Sequence, residues 1–207
     1  ALSSFDKALE RDGGNPLSWT YRGLALEGLG RREEAEASHR KALELDPANR
    51  IALANQAWAF YGEGRLDPAL EGFEAILSRE PGDPGAWLGK AAVLEGQGRT
   101  EEALKAYDRA VETGPADAQA WNSRGSLLYR MGRVPEAIHS FENAVDLEPR
   151  LAAAWNSLAA VKGSLGRHEE ALRNLDEAIR AKRGSAGAWL AKCNELKALE
   201  RYPEALE

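Results

Sequence analysis

The sequence predicts an all-α solenoid, a stack of helix pairs repeating every 34 residues, and three registers predict it. Trp19, Trp87, Trp121, Trp155 and Trp189 share one register, with Leu53 in the remaining slot. Four residues past each stands a small side chain: Gly23, Ala57, Ala91, Gly125, Ala159 and Cys193. Sixteen past each stands alanine: Ala35, Ala69, Ala103, Ala137, Ala171 and Ala205. Units of this kind bury their apolar faces only against their neighbours, so the stack forms one continuous core.

The elements follow in chain order. Ala1, Phe5 and Ala8 match the second helix of a truncated unit, predicting a helix over 1–12 within residues 1–15. Five complete units follow, 16–49, 50–83, 84–117, 118–151 and 152–185, and a truncated one fills 186–207. The unit 118–151 shows the pattern most plainly. Trp121, Gly125 and Leu128 lie at i, i+4, i+7, and Ala137, Ile138, Phe141, Ala144 and Val145 at i, i+1, i+4, i+7, i+8. Each set is the buried stripe of an amphipathic helix. Met131-Gly132-Arg133-Val134 forms the turn between them, and Glu148-Pro149 ends the pair.

The punctuation repeats as well. Gly30, Gly64, Gly98, Gly132 and Gly166 end the first helices, where a left-handed cap suits glycine, and Glu200 breaks the series. Arginine follows at Arg31, Arg65, Arg99, Arg133, Arg167 and Arg201. Pro135 and Pro203 suit a first helical turn, while Pro47, Pro81, Pro115 and Pro149 stop the second helices. Two helices joined by a short turn cross closely only over small side chains. Gly125 is therefore expected against Ala137, with the Trp121 or Phe141 ring filling the gap beside them.

Composition narrows the function. The net charge of −6 is interleaved with basic residues along every unit, which argues against neutralising a polyanion and so against a nucleic-acid partner. No run approaches the ~18 apolar residues of a membrane span. No basic, apolar leader opens the chain, although it starts in mid-repeat, so a leader upstream stays open; a cytoplasmic location is the prior expectation. One cysteine, Cys193, excludes a disulfide framework, and its small-residue slot predicts a buried thiol. His39, His139 and His168 lack a nucleophile or metal partner at ligand spacing, so neither metal, cofactor nor catalysis is expected. His39 occupies an inter-helix position, and His139 and His168 are expected at the surface. The acidic pairs Glu33-Glu34 and Glu101-Glu102 open second helices, where the helix dipole favours them.

Trp121, Gly125, Leu128, Ala137, Phe141, Ala144 and Pro149 together resemble the tetratricopeptide repeat, and the resemblance recurs in register over nearly the whole chain. It implies a right-handed superhelical solenoid of antiparallel helix pairs. Some positions depart from the family pattern. Its usually apolar seventh position holds Arg22, Gln56, Lys90, Arg124 and Lys192, with only Leu158 conforming. Their stems are expected to cover the interface while the charge reaches water. His39 replaces an aromatic residue, Ile76 a small one and Arg183 the terminal proline. With a partial unit at each end, the chain reads as a piece of a longer array.

The resemblance further implies a concave groove lined by the first helices, and so a scaffold for a protein or peptide partner. Carried over by position, the groove residues of the early units are Leu17, Tyr21, Leu24, Ile51, Asn55, Trp58, Tyr61 and Leu88. Those of the later units are Asn122, Ser126, Tyr129, Asn156 and Asn194. Trp58 and Tyr61 form an aromatic anchor, since aromatic rings supply area at low entropic cost. Asn122 and Asn156, one period apart, are suited to grip an extended backbone. The lysines and arginine of the family's carboxylate clamp are replaced by Thr20, Gly85 and Gly89, so no clamp is expected. The alternative is a non-catalytic recruiting arm of a larger enzyme. Leu2, Phe5 and Leu9 on helix 1–12, and the face of helix 187–199, also suggest head-to-tail stacking between copies.

Overall fold

The computed structural model describes residues 2–182, 185–201 and 204–205. These hold α-helices and no strand, and they divide into two compact units, 1–106 and 107–207. The first unit contains α1 (Leu2–Arg11), α2 (Pro16–Glu27), α3 (Arg32–Leu45), α4 (Arg50–Gly62), α5 (Leu66–Arg79) and α6 (Pro84–Gly96). Helix α7 (Thr100–Thr113) begins in it. The second unit contains α8 (Ala118–Arg130), α9 (Val134–Leu147), α10 (Ala152–Ser164), α11 (His168–Ala181) and α12 (Ala186–Ala198).

In the first unit each helix from α1 to α6 packs on the next, and α4 also meets α6. In the second, α8 to α12 pack in the same order, with α8 against α10 and α10 against α12. Contact only with near neighbours is the mark of an all-α helical repeat solenoid. The expectations at Ala1, Arg183 and Pro203 lie outside the described residues.

Three local devices repeat, and each explains a register of the sequence. The first is the turn inside each pair. Gly30, Gly64, Gly98, Gly132 and Gly166 all have φ between 72° and 76°. The Gly30 N–H bonds the Glu27 carbonyl and the Arg31 N–H the Leu26 carbonyl, a pairing that satisfies two orphan carbonyls of α2. Glu200 takes the same turn at φ 58°, with its N–H on Lys197 and that of Arg201 on Leu196, although glycine is missing.

The second device ties a helix to the loop before it. The indole N–H groups of Trp19, Trp87, Trp121 and Trp155 donate to the carbonyls of Gly13, Pro81, Pro115 and Pro149, at 2.8–3.0 Å. Leu53 keeps the apolar character of this register but is smaller and has no such donor. Asn15, Asn49, Asp83 and Asp117 cap α2, α4, α6 and α8 by accepting backbone N–H groups through their side chains, whereas α10 begins at Leu151 without a side-chain cap.

The third device is an ion pair between a first helix and the helix before it. Arg22 bonds Asp6 and the Ser38 hydroxyl, and Arg124 bonds Asp108 and the Ser140 hydroxyl. Lys90 meets Glu74 and Lys192 meets Asp176, each at 2.7–2.8 Å. The seventh-position charges thus do not simply reach water: each finds a carboxylate sixteen residues earlier, and the cation also lies over the neighbouring tryptophan ring. The register fails at Gln56, opposite Arg40, and at Leu158, opposite Glu142.

The helix crossing differs in one respect from the sequence expectation. A Cβ on Gly125 would lie 2.8 Å from Phe141, so the ring itself, not Ala137, covers the glycine. Ala137 is wholly buried beside it. In the first unit His39 takes the ring's place, packed so tightly on Gly23 that a Cβ there would lie 2.4 Å away.

The arginines of the turns have a further use. Arg31, Arg99, Arg133, Arg167 and Arg201 bond the carboxylates of Glu34, Glu102, Glu136, Glu170 and Glu204, three residues on. These hydrogen bonds hold all five glutamates below the ordinary carboxylate value. Arg65 has Pro68 at the third residue on, and it meets Glu63 and lies 4.3 Å over the Phe60 ring instead.

Candidate functional site

The first unit places its candidate residues on α2, α4 and α6. Leu17 and Tyr21 are exposed on α2, and Tyr21 stacks on Phe5 of α1 at 6.0 Å. Leu24, Ile51 and Leu88 are half-buried. Trp58 is 39% exposed and lies edge-on to Tyr61 at 5.6 Å and to Phe73 at 5.1 Å. Tyr61 packs into the core cluster around Phe73, Ile76 and Val93, so it supports Trp58 from beneath.

A pocket of about 460 Å³ opens beside Trp58, lined by Glu27 of α2, Arg32 and Glu36 of α3, and Asn55 of α4. An adjoining concavity of about 270 Å³ shares Glu27, Glu36 and Asn55 and adds His39, Arg40 and Glu63. His39 is buried and reaches Glu27 Oε1 through Nε2 at 3.1 Å, while its Nδ1 makes no hydrogen bond among the described residues. The Asn55 amide stands 3.5 Å from the same Nε2. Sequence reasoning placed His39 between helices and missed that it orients the pocket-lining carboxylate of Glu27. The signal was there: glycine at position 23, with Glu27 one helical turn further on.

The second unit places Asn122 and Asn156 on α8 and α10, one repeat apart. Asn122 is 8% exposed, and Oδ1 of both residues is buried without a hydrogen bond among the described residues. Ser126 uses its hydroxyl on the Asn122 carbonyl. Tyr129 and Asn194 are exposed. A pocket of about 300 Å³ lies between α10 and α12, walled by Ala159, Ala160, Gly187 and Ala191, with Asn156 and Glu195 as its polar edge.

His168 departs from the surface position expected for it: it is half-buried, with Nδ1 2.7 Å from Glu195 Oε2. Gly163 makes this possible, since a Cβ there would lie 2.4 Å from the Glu195 carboxylate. His139 is exposed and lies edge-on to Trp121. Cys193 is half-buried rather than buried, its thiol 3.6 Å from the Ala205 carbonyl.

Family models described as tetratricopeptide repeat match residues 18–49, 54–120 and 116–184. The chain belongs to the tetratricopeptide repeat family. No curated protein matches it significantly. Solved repeat structures do. One is the crystal structure of YrrB, described as a tetratricopeptide repeat protein with an unusual peptide-binding site. It is 26% identical, with a TM-score of 0.66 over 93% of this chain and 99% of that one. A thermophilic repeat protein of Thermus thermophilus, TTC0263, is 25% identical, with a TM-score of 0.69 over 92% and 98%. Pseudomonas aeruginosa pilF shares the fold at 22% identity and a TM-score of 0.82, over 95% and 88%. Tetratricopeptide repeats are in general interaction scaffolds, and this chain is one in that general sense. No helix among the described residues is long and apolar enough to cross a membrane.

Proposed function

We propose that the chain binds an extended segment of a protein partner along the faces formed by its first helices. The observation that carries this reading is Trp58, a 39% exposed ring held by Tyr61 and Phe73 beside an open pocket. On α8 and α10 the Oδ1 atoms of Asn122 and Asn156, one repeat apart, are buried and unbonded among the described residues. A buried acceptor left unpaired costs about 1–3 kcal/mol, and native proteins keep few of them. Turned outward, the two amides would accept from the backbone N–H groups of an extended chain. In the first unit Trp58 supplies the anchor, a partly exposed ring held by Tyr61 and Phe73. The peptide-binding description of YrrB adds to the support. In this reading the chain performs no chemistry of its own, whether it acts alone or as the recruiting arm of a larger enzyme.

The test is selection from a displayed library of random extended peptides, followed by titration of the recovered sequences. Binding that is lost with Trp58→Ala or with Asn156→Ala, each melting like the parent, supports the groove. Peptides indifferent to both variants, or no binders at all, would reject it.

A contact between copies is the second proposal. Trp189 and Leu190 on α12 are 46% and 64% exposed, and α1 has no fully buried residue. The α1 helix of one copy would cover α12 of the next, a heterologous contact that gives head-to-tail chains. Light scattering should then show mass rising with concentration, and Leu190→Glu should abolish the rise; a constant monomer mass rejects it.

A further inference from the structure

We infer that the pocket between α2, α3 and α4 is a subsite for a basic side chain of the bound segment, arginine in preference to lysine. The inference rests on the groove reading above and specifies what that groove selects in the first unit. Two carboxylates, one guanidinium and one indole line the pocket, Glu27, Glu36, Arg32 and Trp58, so the carboxylates outnumber the resident cation. Glu27 is fixed by its contact to buried His39 through Oε1, and its Oε2 makes no hydrogen bond among the described residues. Glu36 meets Arg32 only at 3.8 Å, too far for a hydrogen bond, and Arg32 is 68% exposed at the rim. Both carboxylates therefore keep acceptor capacity facing one space.

Trp58 adds the third component. Its edge-on contacts with Tyr61 and Phe73 restrict its rotation, and Phe73 is wholly buried, so the exposed part of the indole is a fixed wall. A guanidinium is planar, presents its N–H groups as a fork and stacks on aromatic faces; a carboxylate fork beside an indole meets all three properties. An ammonium satisfies the charge without the plane, which sets the order of preference. An acidic side chain would face Glu27 and Glu36 directly. Of the cations nearby, Arg65 belongs to the adjoining concavity and is occupied by Glu63 and the Phe60 ring, and Arg40 lies there too, beside Gln56.

The experiment uses the peptides recovered from the library. The expected result is that binders share one arginine at a fixed register. Replacing it with citrulline, which keeps the shape and removes the charge, should weaken binding about tenfold or more. Glu27→Gln and Glu36→Gln should each weaken the arginine peptide and leave the citrulline peptide unchanged. If Glu27→Gln melts early because its contact with His39 is altered, Glu36→Gln and citrulline carry the test by themselves. Peptides lost on Trp58→Ala yet indifferent to citrulline and to both glutamine variants would overturn the basic subsite and leave the groove standing. Peptides indifferent to every variant, or an empty selection, would overturn both.

Discussion

Gly89→Ala and Gly187→Ala make one covalent change at two helical positions and should move stability in opposite directions. At Gly89 of α6 the added Cβ would lie 2.3 Å from Cε1 and Cζ of Phe73 and 2.6 Å from Cδ1. That is more than an ångström inside ordinary contact, and the ring has little room to retreat. Phe73 is wholly buried, with Trp58 edge-on at 5.1 Å. Overpacking of this kind costs about 1–3 kcal/mol, and alanine in a helix returns up to about 1 kcal/mol over glycine. Because a 2.3 Å approach lies toward the costly end of that range, the net expectation is a loss of about 1–2 kcal/mol, read as a melting point lower by roughly 2–4 °C per kcal/mol for a chain of this size. At Gly187 of α12 nothing lies within 4 Å of the added methyl, so only the propensity gain remains. Paired thermal melts by circular dichroism measure both. Phe73→Leu should recover part of the loss in the Gly89→Ala background, a favourable coupling that the single variants do not predict. A Gly89→Ala protein melting at or above the parent, or a cycle without coupling, would refute the packing argument.

Ala137→Leu places a large side chain at a wholly buried crossing beside Phe141 and should cost roughly 1–3 kcal/mol; a melting-point drop below about a degree would contradict it. Glu200→Gly relieves a left-handed conformation at φ 58° and should raise stability by up to about 1 kcal/mol, seen as slower amide exchange at the end of α12. Acid should weaken the fold in a defined window. Glu34, Glu102, Glu136, Glu170 and Glu204 are held below their ordinary value of 4.5 by arginine hydrogen bonds. A depressed folded value means stabilisation that is full above 4.5 and fades as pH falls through the lowered values. The melting point should decline below about pH 4.5, less steeply at high salt because these pairs are exposed. A Glu136→Gln variant with an undiminished acid slope would remove that pair from the account.

Several of these features were legible before any coordinates. The tryptophan, small-residue and alanine registers imply helix pairs because a 3.6-residue period and a glycine cap are local properties of the chain. The left-handed turns at Gly30 through Gly166 follow from the same locality, but that Glu200 takes the same turn without glycine is a finding of the structure. The reason for tryptophan in its register was not visible, since its indole donates to a carbonyl six residues back, a loop geometry no helical period describes. The acidic partners of Arg22, Lys90, Arg124 and Lys192 do lie in register, at Asp6, Glu74, Asp108 and Asp176, but only helix packing brings a spacing of sixteen into contact.

The candidate site divides along the same line. Position in the repeat put Trp58, Asn122 and Asn156 forward as candidates for the proposed groove, because residues at matching repeat positions are expected on matching helix faces. What the sequence by itself determined is therefore the repeating α-solenoid and the identity of its punctuation, both set by short-range geometry and apolar periodicity. Only the tertiary structure decided that His39, already in an aromatic residue's place by its repeat position, would hold Glu27, that Glu195 would reach His168 past Gly163, and that Tyr61 would support Trp58 from the core. Each depends on how helices pack, and at Gly23 and Gly163 a single missing methyl group determines which side chain fits.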